Sequence, residues 1–269
     1  MNPELQQLQP YPFEKLRALF ADVTPNNSKT PISFGIGEPK HPSPEFVIQT
    51  LRDELKRLAN YPATAGIPEL RQAIADWLTK RFKLNHVDVN SQVLPVNGTR
   101  EAIFSFTQAA FDRSAGGTVI SPNPFYQIYE GAAYLAGAEL QLLPCLEENG
   151  FKPDFNQVSA EQWQRCQLLF LCSPGNPTGA VILAEELKQL IALSDEYNFI
   201  IASDECYSEI YFDESKPPIG LLQACAELGR DDYRNCVVFH SLSKRSNLPG
   251  LRSGFIAGDA KLLGPYLQY

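Results

Sequence analysis

Short apolar runs alternate with longer stretches of helical periodicity along most of this chain, and that alternation constrains the fold more than any other feature. Seven runs read as strands: QVLPV (92–96), GTVISP (117–122), AELQLLP (138–144), QLLFLCSP (167–174), FIIASD (199–204), CVVFHSL (236–242) and GFIAGD (254–259). Most are continuous in hydrophobicity rather than alternating, the pattern of strands covered on both faces. Between them, TREAIFSFTQAAF (99–111) and LAEELKQLIALSDEY (183–197) carry apolar residues at i, i+3, i+4 and i+7 and read as crossover helices. Upstream, IPELRQAIADWLTKRF (67–82) opens with Pro68 and is expected to bury Ile74, Trp77, Leu78 and Phe82 on one face. The expected fold is α/β, a seven-stranded and mainly parallel sheet sandwiched by helices.

Composition narrows the function. A net charge of -8 over 269 residues argues against nucleic acid, whose phosphates need a basic face, and favours small-molecule substrates. The six cysteines are scattered without a C-x-x-C pair, and the three histidines form no ligand spacing, so no metal is expected. His240 ends an apolar strand and is expected to be packed and hydrogen-bonded. The stretch MNPELQQLQPYPFEKLRALF lacks a basic segment followed by an apolar one, and no run reaches roughly eighteen apolar residues. A cytoplasmic protein without membrane contact is expected. Residues 1–45, rich in Pro and Asn at their start, read as an arm and part of a second, smaller domain, and 46–269 as the large domain. After the last strand, KLLGPYLQY reads as a helix barely begun.

In an open α/β sheet, ligands bind beyond the carboxyl ends of the strands, where loops and helix N-termini converge. Five strand ends deliver polar groups there: NGTRE (97–101), PNPFYQIY (122–129), SPGNPTG (173–179), DECY (204–207) and SLSK (241–244). Asn97-Gly98 and Asn-Pro-Thr-Gly have an ordinary reading as turns and caps. Asp204 is harder to dismiss, because a carboxylate at the end of a buried strand needs a partner to offset its desolvation. Lys244 faces the same problem, and a buried amine there would have a lowered pKa. A lysine able to attack a carbonyl, a carboxylate and a helix N-terminus suited to phosphate are together what pyridoxal phosphate chemistry requires.

NGTREAIF, SPGNPTG, SDECYSEIYF and SLSKRSNLPGLRSGF, in this order, resemble the fold-type I, class I/II aminotransferases, and the resemblance runs from SFGIGEPKHPSPEF (33–46) to GFIAGD. Within that family, FHSLSKRSNLPGLRSGFIAGD is most similar to the N-succinyldiaminopimelate aminotransferases of lysine and diaminopimelate biosynthesis. The resemblance implies a pyridoxal 5'-phosphate enzyme working by ping-pong transfer between glutamate/2-oxoglutarate and an amino acid/oxo-acid pair, with N-succinyl-LL-diaminopimelate as the implied amino acid. It implies that Lys244 carries the cofactor as a Schiff base and moves the substrate Cα proton, and that Asp204 keeps the pyridine nitrogen protonated. Tyr207 and Asn176 would bond the phenolic oxygen, and Tyr126 would stack on the ring, with Phe125 as competitor if the register slips by one. Gly98, Thr99, Arg100, Ser241 and Arg252 would hold the phosphate. For Arg252 a surface ion pair is the alternative. Tyr61 would reach the phosphate of a neighbouring subunit, which implies a homodimer with a shared site. Gly37, with Asn176, would lie at the substrate carboxylate.

The same resemblance implies further sequence completing the small domain and supplying an arginine for the substrate α-carboxylate, a role that no residue here matches. Two other functions fit the motif set. One is a different pyridoxal phosphate reaction on the same frame, such as a C–S lyase. The other is a non-catalytic domain that binds the cofactor.

Overall fold

The computed structural model describes residues 1–269. In chain order the helices are α1 (Pro12–Leu19), α2 (Glu45–Glu54), α3 (Pro68–Phe82), α4 (Thr99–Ala110), α5 (Ile128–Ala136), α6 (Ala160–Arg165), α7 (Ala184–Tyr197), α8 (Leu221–Glu227), α9 (Leu242–Arg245) and α10 (Ala260–Gln268). The strands are β1 (Val93–Val96), β2 (Thr118–Asn123), β3 (Glu139–Pro144), β4 (Cys166–Cys172), β5 (Ile200–Asp204), β6 (Cys236–Ser241) and β7 (Gly254–Gly258). All seven expected strands form one sheet of order β1-β7-β6-β5-β4-β2-β3. Only β7 runs against its neighbours. The other strands share one direction, so their carboxyl ends lie along a single rim.

The central strands are buried along most or all of their length, as their uninterrupted apolar sequences require. The edges differ. β1 carries Pro95, tolerated because the strand pairs only with β7, and β3 ends in Pro144 with most of its residues at least partly exposed. One core lies under α3, α7 and α8, and a second lies under α4, α5 and α10 on the other face. In the second core Phe106 of α4 meets Phe239 of β6 edge to face at 5.8 Å. Each such fully buried ring contributes about 2–3 kcal/mol of hydrophobic stabilisation.

Helix boundaries follow local chemistry. α3 starts at Pro68 and ends with Lys83 in the left-handed region, and α7 ends on Asn198 in the same conformation. Two expectations need correction. Trp77 is only half-buried, and Ala75 takes its place among the buried residues of α3. The final helix, which reads as barely begun, is the nine-residue α10 with Pro265 inside it. The first buried residue along the chain is Ile74. The segment before it leaves Phe34 at 92% and Leu58 at 81% exposure. No helix is long and apolar enough to cross a membrane.

Candidate active site

The rim at the carboxyl ends of β2, β4, β5 and β6 gathers most of the expected residues. Asp204 pairs in register with Cys172 on one side and Phe239 on the other, so it sits at the centre of the rim. Its carboxylate is 5% exposed. The Tyr129 hydroxyl donates to Oδ2 at 2.9 Å and the Cys206 backbone N–H donates to Oδ1 at 3.2 Å. Burial nevertheless pushes the Asp204 carboxyl above its ordinary range, against the pull of those donors and of His240. The nearby Cys206 thiol is raised well above its usual value, chiefly by burial and then by the Asp204 charge, so it is a neutral donor and not a nucleophile. A carboxylate so placed is favoured by a cationic N–H donor.

Lys244 lies on α9, the single turn that follows β6. Ser241 starts that turn, its Oγ accepting from the Ser243 N–H at 3.1 Å. Lys244 is half-buried, not buried as its place after an apolar strand suggests; it lies on α9, none of whose residues is buried. Its Nζ donates to the Gly37 carbonyl and lies 6.0 Å from the centre of the Tyr207 ring. Gly37 is therefore brought to the site. A Cβ on it would meet nothing within 4 Å, so no close approach inside this chain calls for glycine there. Burial, followed by the Asp204 charge, pushes the Tyr207 phenol well up and keeps it a proton donor.

Tyr126 and Phe125 are both half-buried. Tyr126 packs edge to face on Tyr129 at 6.0 Å, on the Asp204 side of the sheet. Asn176 is half-buried in the loop after β4, which closes through Gly175 N–H to Ala180 O at 2.8 Å. It borders a small cleft lined also by Pro122, Pro124 and Cys172, which Lys244 and Asp204 do not line.

A polar corner forms where α4 meets the end of β6. Gly98 precedes the helix at φ 102°, a conformation that favours glycine, and no side chain caps the first turn. Val96 and Ser241 pair with Gly254 from either side. A Cβ on Gly254 would stand 3.2 Å from the Thr99 methyl and 2.6 Å from the His240 carbonyl, so the missing side chain lets the start of α4 close on β6. Thr99 is buried, with Oγ1 3.2 Å from Cys206 Sγ, and Arg100 is exposed. Arg252 is exposed and pairs with Glu101 at 2.8 Å, the ion-pair alternative noted for it. Its guanidinium also lies where a Cβ on Gly98 would be.

Tyr61 is not packed against any of these residues, its side chain being fully exposed. Sequence reasoning missed Tyr129 and Glu101. Tyr129 opens the buried face of α5, with Ala132, Ala133 and Ala136 at i+3, i+4 and i+7, a spacing that would have found it had IYEGAAYLA been read as a helix. The expectation of a hydrogen-bonded His240 also fails, since the ring is 1% exposed yet neither nitrogen has an aligned partner. No three His, Cys, Asp or Glu side chains come together in a way that could hold a metal ion. The residues present fit pyridoxal phosphate on two counts: a buried carboxylate short of a cation, and open N–H groups with an arginine at a helix N-terminus.

The family model for aminotransferase class I and II matches residues 29–266. LL-diaminopimelate aminotransferases from Maridesulfovibrio salexigens and Desulforudis audaxviator are each 37% identical, over 96% and 95% of this chain. The chain spans 65% and 63% of the length of these curated relatives. The crystal structure of an aminotransferase from Neisseria meningitidis Z2491 superposes with a TM-score of 0.94 at 49% identity, covering 100% of this chain and 68% of that one. An aminotransferase from Helicobacter pylori 26695 gives 0.90 at 42% identity, covering 97% and 67%.

Proposed function

From the premise that this chain belongs to the aminotransferase class I and II family, which depends on pyridoxal phosphate, we propose that it performs amino transfer in two half-reactions. One exchanges glutamate with 2-oxoglutarate. The other exchanges an amino acid of diaminopimelate skeleton with its oxo-acid, in cytoplasmic lysine and diaminopimelate biosynthesis. The observation that carries the reading is Asp204: a carboxylate buried at the centre of the rim and raised by that burial, with only neutral hydrogen-bond donors against it.

When bound, the cofactor supplies a protonated ring that draws electrons from the substrate Cα and acidifies its proton. Asp204 would hold the proton on the ring nitrogen, and the charge there would offset its own desolvation. Lys244 Nζ would leave the Gly37 carbonyl, hold the cofactor covalently, and, once free, take the Cα proton and return it. Tyr207, kept protonated by burial, would donate to the phenolic oxygen together with Asn176. Tyr126 would cover the ring face. The first-turn N–H groups of Thr99 and Arg100, reached past Gly98, would bind the phosphate with Ser241 Oγ. Arg252 would join them by exchanging Glu101 for the phosphate, a better match to its planar fork. Gly37 and Asn176 would border the substrate carboxylate.

Tyr61 would reach the phosphate of a second copy, making the active unit a homodimer. Its full exposure and the bare apolar side chains of Phe34 and Leu58 support that reading. Sedimentation of the full chain tests it, and a monomer at micromolar concentration would refute it.

The LL-diaminopimelate aminotransferases among the relatives favour the free LL-amino acid, and the resemblance over residues 239–259 favours its N-succinyl form. Both present the same carbon chain with a distal carboxylate. The deciding experiment mixes the purified chain with pyridoxal phosphate, traps with borohydride and maps the adduct, then compares turnover of the two amino acids with 2-oxoglutarate. An adduct at Lys244 that responds to glutamate is expected. Absence of any adduct at Lys244 would refute the function.

A further inference from the structure

On the face of the sheet away from Tyr129, two titratable side chains are buried that no role above uses: Glu205 at 2% and His240 at 1% exposure. Glu205 Oε1 accepts from the Leu221 N–H at 2.8 Å and from Ser203 Oγ at 3.1 Å. Its Oε2 lies 3.2 Å from His240 Nε2, off the axis of an aligned hydrogen bond, and neither imidazole nitrogen has another partner. Around the His240 ring stand Trp77 at 5.2 Å and Phe82 at 5.5 Å from α3, and Phe255 at 5.1 Å from β7. The box is tight, since a Cβ on Gly220 would come within 2.8 Å of Glu205 Oε2. The other charges packed against it are Arg245 over Trp77 at 4.0 Å, Arg81 over Phe82 at 4.6 Å, and Asp204 on the far side of the sheet.

An apolar pair of the same size would fill such a box without the cost of desolvating an acid. Packing alone therefore does not call for an acid and an imidazole. Their places in the chain do suggest a purpose. Glu205 follows Asp204 directly, and its N–H donates to the Phe239 carbonyl at 2.9 Å, extending the ladder between β5 and β6 by one residue. His240 is the next residue on β6, and Lys244 follows four residues later, on α9.

We propose that Glu205 and His240 act as a positioning pair, fixing the end of β5 with Asp204 against the end of β6 with Lys244. The pair joins the two strand ends from behind, on the face the cofactor does not touch, and so sets how the lysine and carboxylate of the rim stand relative to each other. This rests on the roles given to Lys244 and Asp204 above.

The test uses the full chain with His240→Phe, Glu205→Gln and the double variant, and two readouts. The first is thermal unfolding without cofactor. Each single change strands one buried polar partner and should lower the midpoint, and the double variant should recover most of the loss; strictly additive losses would overturn the pair. The second is the pH midpoint of the visible absorbance of bound pyridoxal phosphate. Each single change leaves one partner facing nothing, lets the strand ends shift, and should move that midpoint by about three- to tenfold in proton affinity, while the double variant should return to within about twofold of the parent. Midpoints that stay within about twofold of the parent in both single variants would show a merely structural box and overturn the proposal. Should His240→Phe fail to fold, His240→Gln takes its place with the same expected effect. If the parent forms no adduct at Lys244, the proposed function is what fails, and the unfolding cycle alone decides the pair.

Discussion

Replacing Tyr129 by Phe removes one oxygen atom from a fully buried ring and leaves its stack on Phe170, at 4.7 Å and 18°, in place. The lost contact is the 2.9 Å donation to Asp204 Oδ2. A hydrogen bond to an ionised acceptor stabilises by about 1.5–3 kcal/mol. Taking about 2 kcal/mol, the unfolding midpoint of a chain of this size should fall by roughly 4–8 °C near neutral pH. The sign of the pH dependence follows from Asp204, whose folded pKa is raised above the ordinary 3.8 by burial. For a group raised on folding, the stabilising proton is in place below the unfolded value and is lost as pH rises through the folded one. Removing a donor raises the folded value further. The deficit of the variant should therefore be largest at neutral pH and shrink as pH falls into the ordinary carboxylate range. Circular dichroism melts of parent and variant across that range measure it, with Asp204→Asn as the control background, where Tyr129→Phe should cost under about 1 kcal/mol. A deficit that does not change with pH, or one equally large in the control, would refute the coupling between Tyr129 and Asp204.

Lys244→Met should abolish amino transfer and borohydride trapping while leaving measurable pyridoxal phosphate binding in a fluorescence titration; retained turnover would remove the lysine from its assigned role. Asp204→Asn should cut turnover by about a hundredfold or more, yet leave the apo unfolding midpoint at neutral pH unchanged or higher, because it removes a desolvated charge; a lower midpoint would mean the carboxylate is well compensated without a cofactor. Gly98→Ala places a Cβ at φ 102° against the Arg252 guanidinium and Glu101 carboxylate, and should cost about 1–3 kcal/mol in a denaturant titration and weaken cofactor binding. Glu101→Gln releases Arg252 from its 2.8 Å pair and should tighten cofactor binding about two- to fivefold in the same fluorescence assay; weaker binding would show that Glu101 orients the arginine instead of competing for it.

The sheet was legible because burial on both faces leaves a continuous apolar signature, as in QLLFLC and CVVFHS, and turn residues punctuate each run. α4 and α7 were legible for the matching reason, a regular apolar spacing on one face. α5 was not, because its buried face beyond Tyr129 is made of Ala132, Ala133 and Ala136, a weak apolar signal, and Tyr129 was lost with it. Glu101 escaped notice because its meaning depends on Arg252, which lies 151 residues away in sequence. The burial assigned to Lys244 was wrong for a local reason, since the buried strand ends at Ser241 and none of the residues of α9 is buried.

The sequence by itself determined which chemical groups stand at the strand ends and that they share one rim, because strand direction and crossover connections follow from the periodicity of the chain. Only the tertiary structure decided how those groups are solvated and paired. Asp204 is raised and held by Tyr129, Arg252 is engaged by Glu101, and Glu205 faces His240 in an aromatic box. Solvation and pairing depend on side chains far apart in sequence that meet only when the two cores close on the sheet, and no local pattern in the chain records which of them will meet.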